Sequence, residues 1–398
     1  MSYPIVILKP KRDASIYRKH PWVFSGAIQK ISLGEDQELR EGDAVWVANS
    51  KERIIGTGHF SEASIAVRLQ SFQQTELDLE FFKAKLNKAY ELRKSLGFIN
   101  NSSTNAYRLV HGEGDGLGGL VIDIYKDVAV IQAHSVGMLN ALTEISSALQ
   151  EVYNNELKAI YNKSEKSIHA QNVEFNNEYL LGDTSTPYLI TENELSFQLD
   201  WINGQKTGFY LDQRENRRLL SQYAAGKKVL NTFCYSGGFS VYALNAGAKL
   251  VHSVDSSEEA IKLTEQNVKL LNSSKTNHQS FVADSLKYLN ETDEKYDLII
   301  LDPPAYAKHP RVKHKAVQAY RRLNEKAMRN IESGGILFTF SCSQAIDRKL
   351  FEDTIRAAAI DAKREVKVLH HLSQPADHPV NVFHPEGEYL KGLALLIN

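Results

Sequence analysis

The sequence is poor in cysteine and in long apolar runs. Of its 398 residues, only Cys234 and Cys342 are cysteines. Two are too few for a disulfide framework or a cysteine zinc cluster, and such low usage is typical of a reducing cytosol. The apolar run near the N-terminus, Ile5–Leu8, is shorter than a signal sequence or a membrane span requires. We therefore expect a cytoplasmic protein without a membrane segment.

An excess of charge of either sign is also missing. Lys and Arg number 47 against 48 Asp and Glu, which excludes a polycation that coats nucleic acid by bulk charge. Any nucleic-acid binding must therefore be local. Hydrophobic residues make up 42% and charged residues 24%, the composition of a globular rather than a disordered protein. The length predicts roughly two to three domains.

The hydrophobic pattern along the chain predicts four segments. Short β segments separated by Gly, Asp and Asn turns occupy 1–73 and indicate a small β-barrel. Helical spacing over 74–104 predicts a connector, and 105–184 is expected to form a small α+β domain. Strands and helices alternate over 185–398, which predicts an α/β domain with a mostly parallel, Rossmann-like sheet.

Seven strands are predicted in the C-terminal domain. Helical segments separate the first five, whereas a loop without a helix joins the last two, so the last pair is expected to be antiparallel. The predicted strands are 228–233, 250–255, 279–284, 296–302, 335–342, 365–372 and 389–397. Because ligands of such sheets bind at the carboxyl ends of the strands, the residues just after each strand are the candidates for chemistry.

A turn of small residues follows the first of these strands. Gly237 and Gly238 let the backbone approach a ligand at a helix N-terminus, and Asp255 ends the second strand where it can accept ribose hydroxyls. Together they predict an adenosine-type cofactor. The alternative is that the glycines only tighten a turn and Asp255 only caps a helix. Asp284, after the third strand, is either an adenine contact or a helix N-cap.

The fourth strand ends in Asp302-Pro303-Pro304-Ala305-Tyr306. Two prolines stop the strand and stiffen the turn, so the Asp302 carboxylate is held at the sheet edge, where it can bind the polar edge of a base. With this corner and without a Gly-x-Gly-x-x-Gly turn, the site favours an S-adenosyl-L-methionine (SAM) methyltransferase over a nicotinamide enzyme. The alternative is a buried capping acid before a proline turn.

Cys342 follows the fifth strand, beside the expected position of Asp302. A cysteine at a strand end is often only a small buried apolar residue. The catalytic alternative is covalent, because C5 of cytosine becomes nucleophilic only after a group such as a thiolate has added to C6. In this scheme Cys342 attacks C6, Asp302 assists protonation near N3, and C5 takes the methyl group. The sequence does not identify the base that then removes the C5 proton.

Nitrogen methylation is the competing reaction at the same corner. Enzymes that methylate exocyclic nitrogens typically carry an aromatic residue after the two prolines, and it stacks on the base. Ala305 stands at that position here, and Tyr306 is the remaining candidate for stacking. The sequence therefore favours C5 of cytosine over a nitrogen of guanine or adenine.

Two basic runs predict RNA as the partner. Eight Lys and Arg residues stand against one Glu within 305–330, and six stand against one Asp within 9–30. The second run has Tyr17, His20 and Trp22 interleaved, and the basic residues of both are Lys9, Lys11, Arg12, Arg18, Lys19, Lys30, Lys308, Arg311, Lys313, Lys315, Arg321, Arg322, Lys326 and Arg329. The alternative is that acids elsewhere balance both runs.

The segment 204–214 precedes the sheet with two glycines, two aromatic residues and several charges. It is expected to cover the cofactor; the alternative is a β-hairpin that enters a helix.

Motifs along nearly the whole chain resemble the RlmI-like family of large-subunit rRNA cytosine-C5 methyltransferases. The most specific are Asp302-Pro303-Pro304, Thr339-Phe340-Ser341-Cys342-Ser343 and the tail Ala376-Asp377-His378-Pro379-Val380 with Pro385-Glu386-Gly387. Further matches lie at 40–43, 55–60, 109–120 and 207–214. The resemblance implies a PUA domain for RNA, a small central domain, a class I SAM-binding domain, Cys342 as nucleophile and a tail near the active site.

These arguments together assign the candidate site residues. The predicted catalytic residues are Cys342 and Asp302, the predicted cofactor is SAM, and no metal is expected. The predicted cofactor contacts are Phe209, Asn231, Phe233, Tyr235, Ser236, Gly237, Asp255, Asp284 and Asp302. The predicted substrate contacts are Lys206, Arg214, Pro303, Pro304, Tyr306, Asp377 and His378.

One departure concerns cysteine. Many RNA cytosine-C5 methyltransferases carry a second Cys directly after the fourth-strand proline, where this chain has Ala305, so a second thiol cannot assist product release. A related branch lacks the fifth-strand Cys, so the C5 assignment depends on Cys342. Cys234 is expected to be structural. A noncatalytic RNA-binding assembly factor is the remaining alternative. The sequence does not decide which nucleotide is modified or whether the substrate is naked rRNA or an assembling particle. It also leaves open whether the protein is a monomer or a homodimer.

Overall fold

The computed structural model describes residues 3–35, 37–168, 175–271, 277–307 and 310–398. The chain divides into two compact units. The first comprises Met1–Thr186, Trp201–Gly208 and Ala376–Gly387, and the second comprises Pro187–Asp200, Phe209–Pro375 and Glu388–Asn398. Two short segments of the predicted C-terminal domain thus belong to the first unit.

The first unit begins with a six-stranded sheet. Its elements are β1 (Ile5–Leu8), α1 (Ala14–Tyr17), β2 (Trp22–Phe24), β3 (Ile28–Ser32), β4 (Ala44–Ala48), β5 (Ile54–Phe60) and β6 (Ile65–Ser71). The strand order is β2-β6-β5-β4-β1-β3. Alternate residues such as Val6, Leu8, Val45 and Val47 share one core, because successive side chains of a strand point to opposite faces. The sequence pattern misses β2, which has only three residues, and β3, which has Gln29 and Lys30 between its two isoleucines.

A five-stranded sheet and three helices complete the larger part of this unit. The elements are α2 (Leu79–Ser95), β7 (Ala106–His111), β8 (Leu120–Tyr125), β9 (Val128–Ala133), α3 (Val136–Asn140), α4 (Leu142–Val152), β10 (Ala159–Asn162) and β11 (Glu178–Leu181). The Asp78 carboxylate caps α2 by accepting the N–H of Phe81. Phe82, Leu86 and Ala89 lie on one face of α2 and pack into the core of this sheet. The helix expected as a connector is therefore part of this core.

Two buried ion pairs cross the first unit. Asp123 accepts hydrogen bonds from Nε and Nη2 of Arg108, at 2.7 and 2.9 Å, and from the Thr207 hydroxyl at 2.6 Å. Asp115 accepts from both terminal nitrogens of Arg93. Both carboxylates are therefore neutralised by a guanidinium held in bidentate geometry.

The second unit contains a hairpin and a seven-stranded sheet. Its elements are β12 (Tyr188–Glu192), β13 (Leu195–Leu199), α5 (Arg214–Ala224), β14 (Lys228–Thr232), α6 (Gly238–Asn245), β15 (Leu250–Asp255), α7 (Glu258–Lys269), β16 (His278–Val282), α8 (Ser285–Glu291), β17 (Tyr296–Leu301), α9 (Lys313–Asn330), β18 (Ile331–Ser341), α10 (Arg348–Ala362), β19 (Val366–Leu372) and β20 (Lys391–Ile397). β12 and β13 pair with each other, and the large sheet has the order β16-β15-β14-β17-β18-β20-β19.

The predicted fold class is confirmed. β14 to β18 pair in parallel, and β20 runs antiparallel to both β18 and β19. The central strands are apolar because helices cover them; Tyr320, Leu323 and Ala327 of α9, for example, lie in the same core as β17. The parallel arrangement brings the carboxyl ends of β14, β15, β17 and β18 to one edge of the sheet. No helix among the described residues is long and apolar enough to cross a bilayer.

Candidate active site

The loop after β14 contains three left-handed residues in alternation. Phe233, Tyr235 and Gly237 have φ angles of 54°, 47° and 74°. A side chain in this region costs roughly 1–2 kcal/mol, so two aromatic residues there mark a strained loop of the kind that occurs at ligand sites. Gly237 is required by space as well, because a Cβ would lie 2.7 Å from Cγ2 of Thr264. It is also the N-cap residue of α6.

Asp255 holds this loop from the end of β15. Its Oδ2 accepts the N–H of Tyr235 and its Oδ1 accepts the N–H of Ser257, each at 3.0 Å. A carboxylate oxygen can accept more than one hydrogen bond. Asp255 therefore retains capacity for the hydroxyls of a ribose.

Asn231 and Ser236 are buried in the same loop region. The Ser236 carbonyl accepts from Nδ2 of Asn267 at 2.8 Å, and Asn231 donates from Nδ2 to Oγ of Ser240 at 2.9 Å. Oδ1 of Asn231 is buried without a hydrogen-bond partner in the described part of the chain. This orphaned acceptor, with the strained loop and Asp255, fits a site for a polar, adenosine-type cofactor.

Two further predicted cofactor contacts have structural partners. Phe209 is buried with the guanidinium carbon of Arg217 at 4.8 Å from its ring centre. Asp284 is exposed and caps α8 by accepting the N–H of Lys287 at 2.8 Å, so the capping alternative is observed. Contact of either residue with the cofactor stays a prediction.

Asp302, Pro303 and Cys342 lie at the edge where β17 and β18 end. The two strands pair in parallel with Leu301 opposite Thr339, which brings the residues after them together. Sγ of Cys342 lies 3.9 Å from the carbonyl oxygen of Pro303, and the thiol is half-buried. The predicted proximity of the thiol to the Asp-Pro-Pro turn is therefore observed.

The acid and the thiol have displaced pKa values. Burial, followed by the negative charge of Asp212, raises the pKa of Asp302 to about 7, although Nε2 of Gln213 donates to its Oδ2 at 3.0 Å. Burial, followed by the charges of Asp302 and Asp212, raises the pKa of Cys342 to about 12. The thiol of the free protein is therefore protonated at neutral pH, whereas Asp302 exchanges a proton in that range, as a general acid or base must.

Asp212, Gln213 and Tyr389 belong to this corner, and sequence reasoning missed them. The Tyr389 hydroxyl donates to Oδ2 of Asp212 at 2.7 Å, across 177 residues of sequence. Segment 204–214 is marked by its composition, but nothing local distinguishes Asp212 within it. The hairpin alternative for this segment is wrong, since it forms turns and a short 3-10 helix, Leu211–Gln213, that leads into α5.

The other predicted substrate contacts belong to both units: Lys206 to the first, and Pro304, Tyr306 and Arg214 to the second, and their contact with substrate stays a prediction. Pro304 is exposed, while the Tyr306 ring lies 4.8 Å from that of Tyr320, in the core beside α9. Lys206 is an exposed turn residue of the first unit, whereas Arg214 is almost fully buried at the start of α5 in the second unit.

Asp377 and His378 are buried in the first unit. Oδ2 of Asp377 accepts the N–H of Arg108 at 3.0 Å, and its carbonyl accepts from Nη2 of Arg93 at 2.7 Å. Nδ1 of His378 lies 3.0 Å from Oδ1 of Asp377. Their contact with substrate stays a prediction.

The two basic runs are partly neutralised. In α9, Arg321 forms a bidentate pair with Asp361, and Arg329 pairs with Glu325. The exposed cations without an ion pair to a described residue are Lys9, Lys11, Arg12, Arg18, Lys19, Arg311, Lys315 and Arg322. Lys308 and His309 lie outside the described residues. Each run thus retains exposed positive charge.

One side-chain cluster of the first unit has the composition of a metal site. The nearest nitrogen and oxygen atoms of His20, His384 and Glu386 lie within 4.8 Å of one another. The N–H of Trp22 donates to Nδ1 of His20 at 3.2 Å, so the proton of the neutral ring is on Nε2, which faces Glu386 at 3.6 Å. Within this cluster, His20 and Glu386 thus form a histidine–carboxylate pair.

The strand order with its antiparallel seventh strand, the acid at the end of β15 and the strained loop after β14 define a class I methyltransferase. The family model for S-adenosylmethionine-dependent methyltransferases matches residues 109–384, and a PUA-like domain model matches residues 6–72. The chain belongs to this methyltransferase family, and SAM is its cofactor.

Named relatives match the chain along almost its whole length. It is 39% identical to ribosomal RNA large subunit methyltransferase I of Erwinia tasmaniensis, with 98% of each chain covered. Its identity to the protein of the same name from Aeromonas salmonicida is 38%, with 99% of each covered. A solved methyltransferase structure in complex with SAH is 25% identical with a TM-score of 0.84, and a Streptococcus mutans chain assigned as SAM-dependent methyltransferase is 24% identical with a TM-score of 0.83. Both comparisons cover 100% of each chain.

Proposed function

We propose that this protein methylates C5 of a cytosine in large-subunit ribosomal RNA through a covalent bond between Cys342 and C6. The relatives that match nearly the whole chain are named for ribosomal RNA of the large subunit, which supports the substrate class. The observation that carries the reaction type is the thiol at the end of β18, next to the Asp302-Pro303 turn.

The loop after β14 and Asp255 would hold the cofactor. We assign the ribose to Asp255 and the rest of the adenosine side to the loop from Phe233 to Gly237, whose backbone Asp255 and Thr264 support. When bound, SAM supplies the methyl group that C5 accepts.

Cys342 and Asp302 divide the activation of the base. The thiolate of Cys342 forms a bond to C6, and Asp302 in its protonated form donates a proton to N3, so that negative charge does not build up on the ring. Protonation of Asp302 also removes one of the two charges that raise the pKa of Cys342. Proton uptake by the acid therefore favours the reactive form of the nucleophile.

Nitrogen methylation has less support at this corner. Ala305 cannot stack on a base, and the ring of Tyr306 is engaged with Tyr320. A base held for nitrogen methylation would need another aromatic partner.

The remaining parts of the chain serve RNA binding in this proposal. We assign 1–73 to RNA binding, 105–184 together with the helix α2 to the central domain, and 185–398 to methyl transfer. Exposed cations in both basic runs would contact phosphates, and the reaction would take place in the cytoplasm, where free cysteines persist.

A covalent trap tests the reaction. Ribosomal RNA transcribed with 5-fluorocytidine is incubated with SAM and wild-type, Cys342→Ala or Cys234→Ala protein, and adducts are resolved on a denaturing gel. Fluorine at C5 blocks release, so wild type and Cys234→Ala should form an adduct and Cys342→Ala should not. Cys234 is a matched control, since its thiol is buried against Thr264 with a pKa raised to about 12.

Other outcomes of the covalent trap would support one of the two alternative functions. Methyl transfer to unmodified RNA without a fluorinated adduct would overturn the thiol mechanism in favour of nitrogen methylation. RNA binding without methyl transfer would identify a noncatalytic assembly factor.

A further inference from the structure

Two carboxylates at the Cys342 corner have different hydrogen-bond partners. Asp302 receives a hydrogen bond from Nε2 of Gln213. Asp212, the preceding residue in the chain, receives one from the Tyr389 hydroxyl on its Oδ2. Its other oxygen, Oδ1, is buried and has no hydrogen-bond partner among the residues that the structure describes.

The charge of Asp212 acts on both reacting groups. It is among the causes that raise the pKa of Asp302, and it does the same for Cys342. Neither carboxylate forms an ion pair with a described residue, and the guanidinium of Arg217, whose charge acts on Asp302, is itself paired with Glu192. Asp212 therefore lies beside the nucleophile and the acid as a carboxylate without its own cation.

A buried carboxylate oxygen without a donor costs free energy, and natural proteins retain such groups mainly where function needs them. A general base needs an unengaged lone pair and a fixed direction. Oδ1 provides the lone pair, while the bond from Tyr389 to Oδ2 fixes the direction of the carboxylate.

We propose that Asp212 is the base that removes the proton from C5 after methyl transfer. This assignment rests on the proposed cytosine-C5 function, for which it supplies the missing acceptor. Asp302 is already used at N3, and the second thiol that could assist release is replaced by Ala305.

Removal of the C5 proton is coupled to release of Cys342 from C6. The C5–H bond breaks and its proton goes to Oδ1 of Asp212, while the electron pair of that bond restores the C5–C6 double bond. The C6–S bond breaks, its electron pair leaves with Sγ of Cys342 as thiolate, and the proton on N3 returns to Asp302.

The test uses Asp212→Asn with unmodified cytidine rRNA and methyl-labelled SAM. Asn keeps the size and can still accept from Tyr389, but it cannot take the proton. The variant should transfer one methyl group and remain bonded to the RNA as a labelled adduct on a denaturing gel, with release slowed at least about 100-fold. Glu215→Gln, an exposed carboxylate on the next turn, is the matched control and should release product like wild type.

Other outcomes overturn the assignment. Full turnover by Asp212→Asn would exclude a role as base. Weakened SAH binding without an adduct would assign Asp212 to the cofactor instead. If Asp212→Asn does not fold, Tyr389→Phe serves: loss of the orienting bond should slow release and accumulate the same adduct, and unchanged release would reject the proposal.

Two further outcomes distinguish a failure of the Asp212 assignment from a failure of the cytosine-C5 function. If wild type traps no 5-fluorocytidine RNA, the cytosine-C5 function itself fails. If wild type traps that RNA and Asp212→Asn traps no unmodified RNA, the base is a different residue.

Discussion

The buried Asp123 of the first unit and the half-buried Asp302 and Asp212 of the second unit have hydrogen-bond partners of opposite kinds. In the first unit, Asp123 accepts a bidentate bond from Arg108 and a further bond from a hydroxyl. In the second unit, Asp302 and Asp212 receive hydrogen bonds only from a neutral amide and a neutral hydroxyl in the described structure. A guanidinium offsets the desolvation of a carboxylate, whereas a neutral donor does so only in part.

This difference separates structural from reactive acids. A carboxylate paired with a cation stays ionised and holds its neighbours in place. Asp302, which has no cation among its described hydrogen-bond partners, has a raised pKa and can exchange protons near neutral pH. Asp123 thus contributes to the stability of the first unit, whereas Asp302 is kept in the second unit at a cost in stability.

The largest expected effect is a loss of stability on removing the charge of Asp123, the acid that is paired with Arg108. Asp123→Asn should lower the free energy of unfolding of the first unit by about 3 kcal/mol, because it leaves the half-buried Arg108 without its partner. All three tryptophans, Trp22, Trp46 and Trp201, lie in the first unit, so tryptophan fluorescence in urea reports on it selectively. Glu80→Gln, which removes an exposed pair with Lys83, should change stability by less than about 0.5 kcal/mol. Equal changes in the free energy of unfolding for Asp123→Asn and Glu80→Gln would contradict a stabilising role of the buried Asp123 pair.

Removing the charge of Asp302, which has no ion pair to a described residue, should instead raise the stability, by an amount that depends on pH. The pKa of Asp302 is about 7 in the folded protein against about 3.9 in an unfolded chain, so the folded state binds more protons and wild type loses stability as pH rises through this window. Asp302→Asn removes that loss. At pH 8 the variant should be more stable than wild type by about 2 kcal/mol, allowing for partial exposure of the carboxyl.

At pH 4 the folded state holds the proton and the unfolded chain is about half ionised, so the Asp302→Asn difference should fall to about 0.5 kcal/mol or less. Urea unfolding followed by circular dichroism at both pH values makes the measurement. A pH-independent gain would mean that packing, rather than charge, accounts for it.

The smallest expected effect concerns backbone strain. Left-handed residues of the first unit include Asn154, a residue type that tolerates this conformation, whereas the loop after β14 places Tyr235 there. Tyr235→Gly should change stability by no more than about 1 kcal/mol, because relief of strain offsets the lost ring contact with Tyr210 and the added flexibility of glycine.

The same Tyr235→Gly variant should bind SAH at least about tenfold more weakly in calorimetry. We expect this because the strained backbone of Tyr235 would place its ring against the ligand. Asn154→Gly should change neither quantity. Unaltered SAH affinity of Tyr235→Gly would show that the ring has no part in the cofactor site.

The strands of the second unit were predictable because parallel strands covered on both faces are short apolar runs bounded by turn residues. Their ends then located Asp255, Asp302 and Cys342, since the carboxyl ends of such strands share one edge. β2 and β3 were not predictable in the same way, because β2 has only three residues and β3, an edge strand, has Gln29 and Lys30 between its two isoleucines.

The sequence by itself determined the class of the second unit and the strand that carries each candidate residue, both of which follow from local pattern. Only the tertiary structure decided which polar groups meet. Tyr389 orients Asp212 across 177 residues, and Asp302 has a neutral partner where Asp123 has a guanidinium. Hydrogen bonds and desolvation depend on distance in space, which local sequence does not encode, and they set the pKa values on which the chemistry depends.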